Sequence, residues 1–340
     1  IILDIEKTKN FLNYFAQLKN KLDIQNLDLN LKRQENSILT INKNYFSNYG
    51  YKKNKITGEI FDKKFEVYLD NDNRNLDFKI LNTGVKASFI LDEESENDII
   101  SGSSKINVLN NYLKSSFLIK DNEVEIMKAN LRNKDLSIFF DSLIKINPFF
   151  EINLDININK INKKLINNLN LEKIFKNIEI LKKLNSNNKV IYNAKRSYNG
   201  FIKSNYSELN LAHGRLVFLN ETSISGGVIN CKGDSLLFED YPRLNFDCLI
   251  DIKDKKKFLK KFSISEKQDE NILYLKVVGS FNLLNKKINL NNIYINKKEN
   301  ITKIEDLNYF KETFENILFD ENFFNIFRKD KIKEFLLEII

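Results

Sequence analysis

The chain has 340 residues, 42% of them hydrophobic, which is enough for one large or two to three ordinary domains with a buried core. Its 54 basic and 46 acidic side chains are interleaved, so the net charge of +8 reads as a solvated mixed surface, and no basic face with stacking aromatics marks a nucleic-acid binder. Trp is absent, Pro and Met are scarce while Asn, Lys and Ile abound, and no run reaches the ~18 apolar residues of a membrane-spanning helix or shows a signal peptide.

Phe11, Leu12, Phe15, Leu18 and Leu22 make one apolar stripe, which predicts an opening helix. Alternation follows at Leu27, Leu29 and Leu31, with a strand near Ile38 to Asn44 and a turn at SNYGYKKN (47–54). From Ile56 the pattern is repeated β: Phe65, Val67, Leu69; Leu76, Phe78, Ile80; Val85, Ala87, Phe89, Leu91. An acidic loop, 92–98, separates these from Ile106 and Val108, then Phe117 and Ile119, then Val124 and Ile126 across the Asp121-Asn122 turn. Short strands joined by turns at near-regular spacing predict an antiparallel meander.

Residues 144–158 read IKINPFFEINLDINI. Every even position is apolar or proline and every odd one polar except Phe149, the period of a strand with one apolar face. Taken alone, the stretch fits two ordinary strands joined at Pro148. Beside the same texture before and after it, the expectation is strands in the wall of a curled sheet, with Pro148 at its bend.

An amphipathic helix is predicted over 160–184, ended by a Ser/Asn-rich linker at Asn185–Asn188. A second β block follows through Leu209, Leu211, Val217, Leu219 and Val228, the one-faced strand Leu244 to Ile252, and Leu273 to Leu290. Leu307, Phe310, Phe314 and Ile317 predict one C-terminal helix, and Asp320 caps a second carrying Phe323, Phe324, Phe327, Ile332, Phe335, Leu336 and Ile339. Glycines open several β cassettes, at Gly58, Gly102, Gly200 and Gly279, without a fixed period.

Enzyme motifs are missing. The single histidine, His213, is in phase with Leu209 and Leu211 and reads as a packed strand residue, not a general base. No serine elbow, P-loop, dinucleotide fingerprint or metal-ligand spacing is present, and no cofactor is expected. The basic run KDKKKFLKK (253–261) fits a solvated turn better than a contact with anionic lipid. Cys231 and Cys248 could face each other across the Tyr241-Pro242 turn as a disulfide, or be two small buried hydrophobes. The positive signal is the Ile/Leu/Phe face carried by strand after strand, which in an open, curled sheet would line a groove suited to acyl chains.

The segments FSNYGYKKNKITGEIFDKKFEV (46–67), LDFKILNTGVKASF (76–89), ISGSSKINVLNNYLKSSF (100–117), NKDLSIFFDSLIKINPFFEINLDI (133–156), LNLAHGRLVF (209–218) and VVGSFNLLNKKINLNNIYI (277–295) together resemble AsmA-like cell-envelope proteins of the alphaproteobacterial type. The resemblance covers roughly the whole chain and rests on β-repeat texture, not on catalytic residues. It implies a periplasm-facing protein anchored in the inner membrane through a helix upstream of this chain. It also implies a taco-like apolar groove and a part in moving phospholipid toward the outer membrane.

The expected fold is therefore mainly β with α insertions: an elongated, curled antiparallel sheet with one internal helix and two C-terminal helices. The expected organisation is a helix and first β-groove block over 1–159, helix and linker over 160–188, a second block over 189–300 and a helical segment over 301–340. The expected function is non-enzymatic lipid handling in outer-membrane biogenesis, with phospholipid or another acyl lipid and the two membranes as partners. The alternative is a structural or adhesive scaffold with a sealed core. The candidate groove residues are Phe78, Ile80, Phe89, Phe117, Ile119, Ile138, Phe140, Ile144, Ile146, Phe150, Ile152, Leu154 and Ile156.

Overall fold

The computed structural model describes residues 2–4, 21–33, 36–60, 62–70, 74–92, 99–120, 122–145, 150–162, 184–193, 201–265, 273–283, 287–297, 300–303, 307–319 and 329–339. The fold is mainly β, and the chain divides into two compact units, Ile1–Asn133 and Lys134–Ile340.

Among the described residues, unit 1 is one ladder of ten strands: β1 (Ile2–Asp4), β2 (Asp23–Arg33), β3 (Asn36–Ser47), β4 (Lys55–Ile60), β5 (Lys63–Leu69), β6 (Asn75–Ile80), β7 (Val85–Leu91), β8 (Ile99–Val108), β9 (Asn111–Lys120) and β10 (Glu123–Arg132). From β2 to β10 each strand pairs antiparallel with the next. The period-2 pattern places its apolar set on one face: in β6, Leu76, Phe78 and Ile80 are half-buried while Asn75, Asp77 and Lys79 are exposed. Leu109 and Asn110, both at positive φ (49° and 70°), make the two-residue turn between β8 and β9 whose twist suits a hairpin. One register shift in each of β2, β3 and β10 coincides with a left-handed residue, Asn26, Lys43 and Lys128 respectively. At the bulge in β3 the buried Asn44 satisfies itself by donating to the carbonyls of Leu27 and Ile41, at 2.7 and 2.9 Å.

Unit 2 holds β11 (Leu136–Lys145), β12 (Glu151–Ile161), β13 (Ser186–Tyr192), β14 (Ile202–Ala212), β15 (Arg215–Ile224), β16 (Gly227–Leu236), β17 (Arg243–Ile252), helix α1 (Lys255–Lys260), β18 (Leu273–Asn282), β19 (Ile288–Lys297), β20 (Asn300–Lys303), helix α2 (Leu307–Phe314) with a π turn to Phe319, and helix α3 (Lys329–Ile339). Successive strands pair antiparallel except β12 with β13. Its apolar face is sealed in two patches. In the first, Phe310, Ile317 and Phe335 of the C-terminal helices pack on Leu211, Phe281, Leu290 and Ile293 of the sheet. In the second, Phe258, Leu259 and Phe262 from α1 and its end pack on Ile224 and Ile252, joined by Leu336 of α3.

Several expectations change. The sheet is mixed, because β1–β2 and β12–β13 run parallel; a parallel and an antiparallel strand carry the same period of two, so alternation cannot tell them apart. The stretch 144–158 falls in two strands, β11 ending at Lys145 and β12 starting at Glu151, and the chain reverses between them so that Lys145 pairs with Glu151. Pro148, Ile146 and Phe149 lie outside the described residues, as do most of the predicted helices at 11–22 and 160–184, the 93–98 loop, Gly200, and Asp320 with Phe323, Phe324 and Phe327. Ser186–Asn188, expected as linker, belong to β13. The basic run is helical over Lys255–Lys260, capped by Asp254, whose carboxylate accepts the Lys257 N–H at 2.8 Å.

Candidate functional site

In unit 1 the ladder carries one apolar face from β4 to β10. Register puts Phe65, Ile80 and Val85 in one row, Val67, Phe78, Ala87 and Ile106 in the next, and Leu69, Leu76 and Phe89 in a third. The candidates Phe78, Ile80, Phe89, Phe117 and Ile119 all fall on this face, and all five are half-buried. Their rings meet across strands: Phe65 and Phe78 centroids are 6.0 Å apart, Phe89 and Phe117 6.2 Å, the second pair edge to face. Every described element of unit 1 is a strand of this ladder or the short turn Gly50–Lys52, so no described helix of that unit covers the face. One polar interruption is satisfied on the spot, Ser104 and Ser115 sharing a hydroxyl hydrogen bond of 2.7 Å.

The glycine-opened cassettes have a physical reason. Gly58 pairs with Phe65, Gly102 with Phe117, Gly233 with Phe218 and Phe246, and Gly279 with Phe246. Each ring lies over its glycine: an added Cβ would stand 2.8 Å from Phe65 at Gly58, 3.0 Å from Phe117 at Gly102 and 2.8 Å from Phe246 at Gly279. Without a Cβ at the glycine, the phenylalanine ring of the neighbouring strand can close onto the backbone there.

The remaining candidates belong to unit 2. Ile138 and Phe140 of β11 share a face with Ile144, and across the ladder Phe140 meets Ile156, Ser142 meets Leu154 and Ile144 meets Ile152. These are half-buried, apart from the buried Ser142. Phe150 sits before β12 and is 46% exposed, outside the row. Farther along this face a ring of four side chains closes on itself. Asn205 donates to Thr222, Thr222 to Asn220, Asn220 to Ser207 and Ser207 to Asn205, at 2.7, 2.9, 2.7 and 2.8 Å. The signal was in the sequence as N-x-S in β14 and N-x-T in β15, but their apposition depends on register. The ring separates the two sealed patches, with Leu211 and Leu216 on one side and Ile224 on the other. Next in register stand Cys231 and Cys248, directly paired at a Cα separation of 4.1 Å and joined as a disulfide.

The opposite face of unit 2 holds a shallow depression of about 710 Å³ lined by Glu208, Val217, Leu219, Lys232, Asp234 and Asp247. Its charged lining, with Lys276 3.2 Å from Asp247 and Arg215 3.7 Å from Asp234, does not suit acyl chains. His213 is not a packed strand residue: with Gly214 it forms the positive-φ turn between β14 and β15, exposed, its N–H donating to Asn185 at 3.0 Å. Among the described residues no group of three or more His, Cys, Asp or Glu side chains converges to hold a metal ion, and no helix is long and apolar enough to cross a membrane. No family model, curated protein or solved structure matches the chain.

Proposed function

We propose that this chain handles lipid without catalysing a reaction, as an AsmA-like protein of the bacterial envelope, offering an apolar β-groove to phospholipid passing between inner and outer membrane during outer-membrane biogenesis. The observation that carries the reading is the face of β4–β10: contiguous rows of Ile, Leu, Val and Phe, with glycine–phenylalanine pairs among them and not covered by any described helix of unit 1. An acyl chain laid on it would gain up to about 0.8 kcal/mol per buried methylene, so micromolar affinity takes roughly ten or more methylenes, the length of a phospholipid acyl chain. The Cys231–Cys248 disulfide fits an oxidising compartment such as the periplasm.

The test is native mass spectrometry of protein purified from cells, followed by uptake of a phospholipid carrying a photoreactive acyl chain. The expected result is co-purified phospholipid and crosslinks on β6–β9, both lost when Phe78 and Phe117 are replaced by Arg. Protein free of lipid that also takes up no labelled chain would defeat the proposal. A second reading, a structural or adhesive scaffold with a sealed core, is favoured by unit 2, where the C-terminal helices and α1 already occupy the apolar face. Crosslinks absent from unit 1 would leave that reading standing.

A further inference from the structure

We infer that α1 is a docking plate for an anionic lipid bilayer, an inference that rests on the lipid-handling reading and adds to it the part of unit 2 that meets the membrane. The chain as a whole carries 54 basic and 46 acidic residues, but Lys253–Lys261 holds six lysines and a single acid. That acid, Asp254, is occupied in capping the helix. The apolar residues of the segment fix the orientation of the rest. Phe258, Leu259 and Phe262 are 6%, 1% and 1% exposed, and Phe258 and Phe262 meet edge to face at 5.4 Å. Phe201 closes on Phe262 at 5.2 Å, so the helix is bolted to the ends of β15 and β17 through Ile224 and Ile252. With those residues inward, Lys253, Lys256, Lys257 and Lys260 are left exposed.

The chemistry of this surface selects its partner. Clustered ammonium groups on a rigid helix see an anionic lipid surface as a continuous negative plane, and each adds to the attraction within a Debye length. A single-stranded nucleic acid would need aromatics on which its bases stack, and every phenylalanine of this segment is buried.

The test is co-sedimentation of the full chain with vesicles of pure phosphatidylcholine and of phosphatidylcholine with about 30% phosphatidylglycerol, whose anionic headgroups supply the negative surface potential. The variants are the fourfold Lys253/Lys256/Lys257/Lys260→Gln and the matching fourfold Arg variant. The expected result is binding that requires phosphatidylglycerol, weakens as salt rises, falls at least roughly tenfold in the Gln variant and persists in the Arg variant. Equal binding to both vesicle types, salt-independent binding, or unchanged binding of the Gln variant would overturn the inference. Salt dependence is read on the unaltered protein and needs no variant to fold. Uptake of the photoreactive acyl chain is measured separately on both proteins: retained uptake with lost docking in the Gln variant keeps the groove and supports the plate, whereas docking without uptake by the unaltered protein sinks the groove alone.

Discussion

At the scale of single residues, the glycines explain most. A Cβ at Gly102 would drive into the Ile90 carbonyl as well as the Phe117 ring, and backbone cannot give way as a side-chain tip can. Gly102→Ala is therefore expected to cost about 1–3 kcal/mol, read as a lowered urea midpoint of the transition that reports on unit 1. The glycines were visible in the sequence as openers of β cassettes, but Gly58, Gly102 and Gly279 lie inside β4, β8 and β18, and their phenylalanine partners on the neighbouring strand are revealed only by register. His213 shows the converse: it keeps the alternation of Leu209 and Leu211, yet the following glycine lets the chain turn there. Tyr206 gives a second prediction. Its hydroxyl donates to the Glu208 carboxylate, and that bond, with lesser desolvation and the nearby negative charge, raises its pKa above the ordinary tyrosine value. The proton is held more tightly in the folded chain, so the contribution to stability is present below about pH 10 and is lost as pH climbs through the raised value. NMR titration of the Tyr206 ring should show that upward displacement, and Glu208→Gln should bring the midpoint back down.

Among the elements, what the sequence could not settle was direction and pairing. Ile144 to Ile158 kept its parity through the reversal, because hairpin partners bring even residues to the same face. Alternation therefore identified the apolar face correctly while leaving the path of the chain open. The C-terminal helices were legible from their stripes, but not their role, since which face they seal is a non-local matter. Phe335 meets Phe310 and Phe314 edge to face at 5.4 and 5.6 Å, at the centre of the first sealed patch. Phe335→Ala is expected to cost about 3–5 kcal/mol and to raise binding of an apolar dye, because the vacated volume lies between helix and sheet. The disulfide ties β16 to β17 over a sequence separation of 17. On chain-entropy grounds its reduction should lower stability by about 3 kcal/mol, measured as the difference between urea curves with and without reductant.

For the molecule as a whole, the contrast between the units sets the order of unfolding. Among the described residues, both clusters of buried apolar side chains lie in unit 2, with Ile252 and Ile293 fully enclosed. Unit 1 has a wide apolar face of half-buried side chains and few enclosed ones, Phe65, Ala87 and Ala129 among them. Opening free energy follows buried contact, so unit 1 should open first, with the fastest amide exchange in β4–β10 and the slowest in β17–β19. Two urea transitions are expected in place of one. If the β4–β10 face holds an acyl chain, bound lipid stabilises only the unit that carries it, by RT ln(1 + [L]/Kd), so the first midpoint should climb with lipid concentration while the second stays fixed. A ligand at a hundred times its Kd would shift the first transition by about 2.7 kcal/mol, well above the error of such curves. A second transition that moves while the first does not would place the lipid on unit 2, against the sealed face that its own helices already fill.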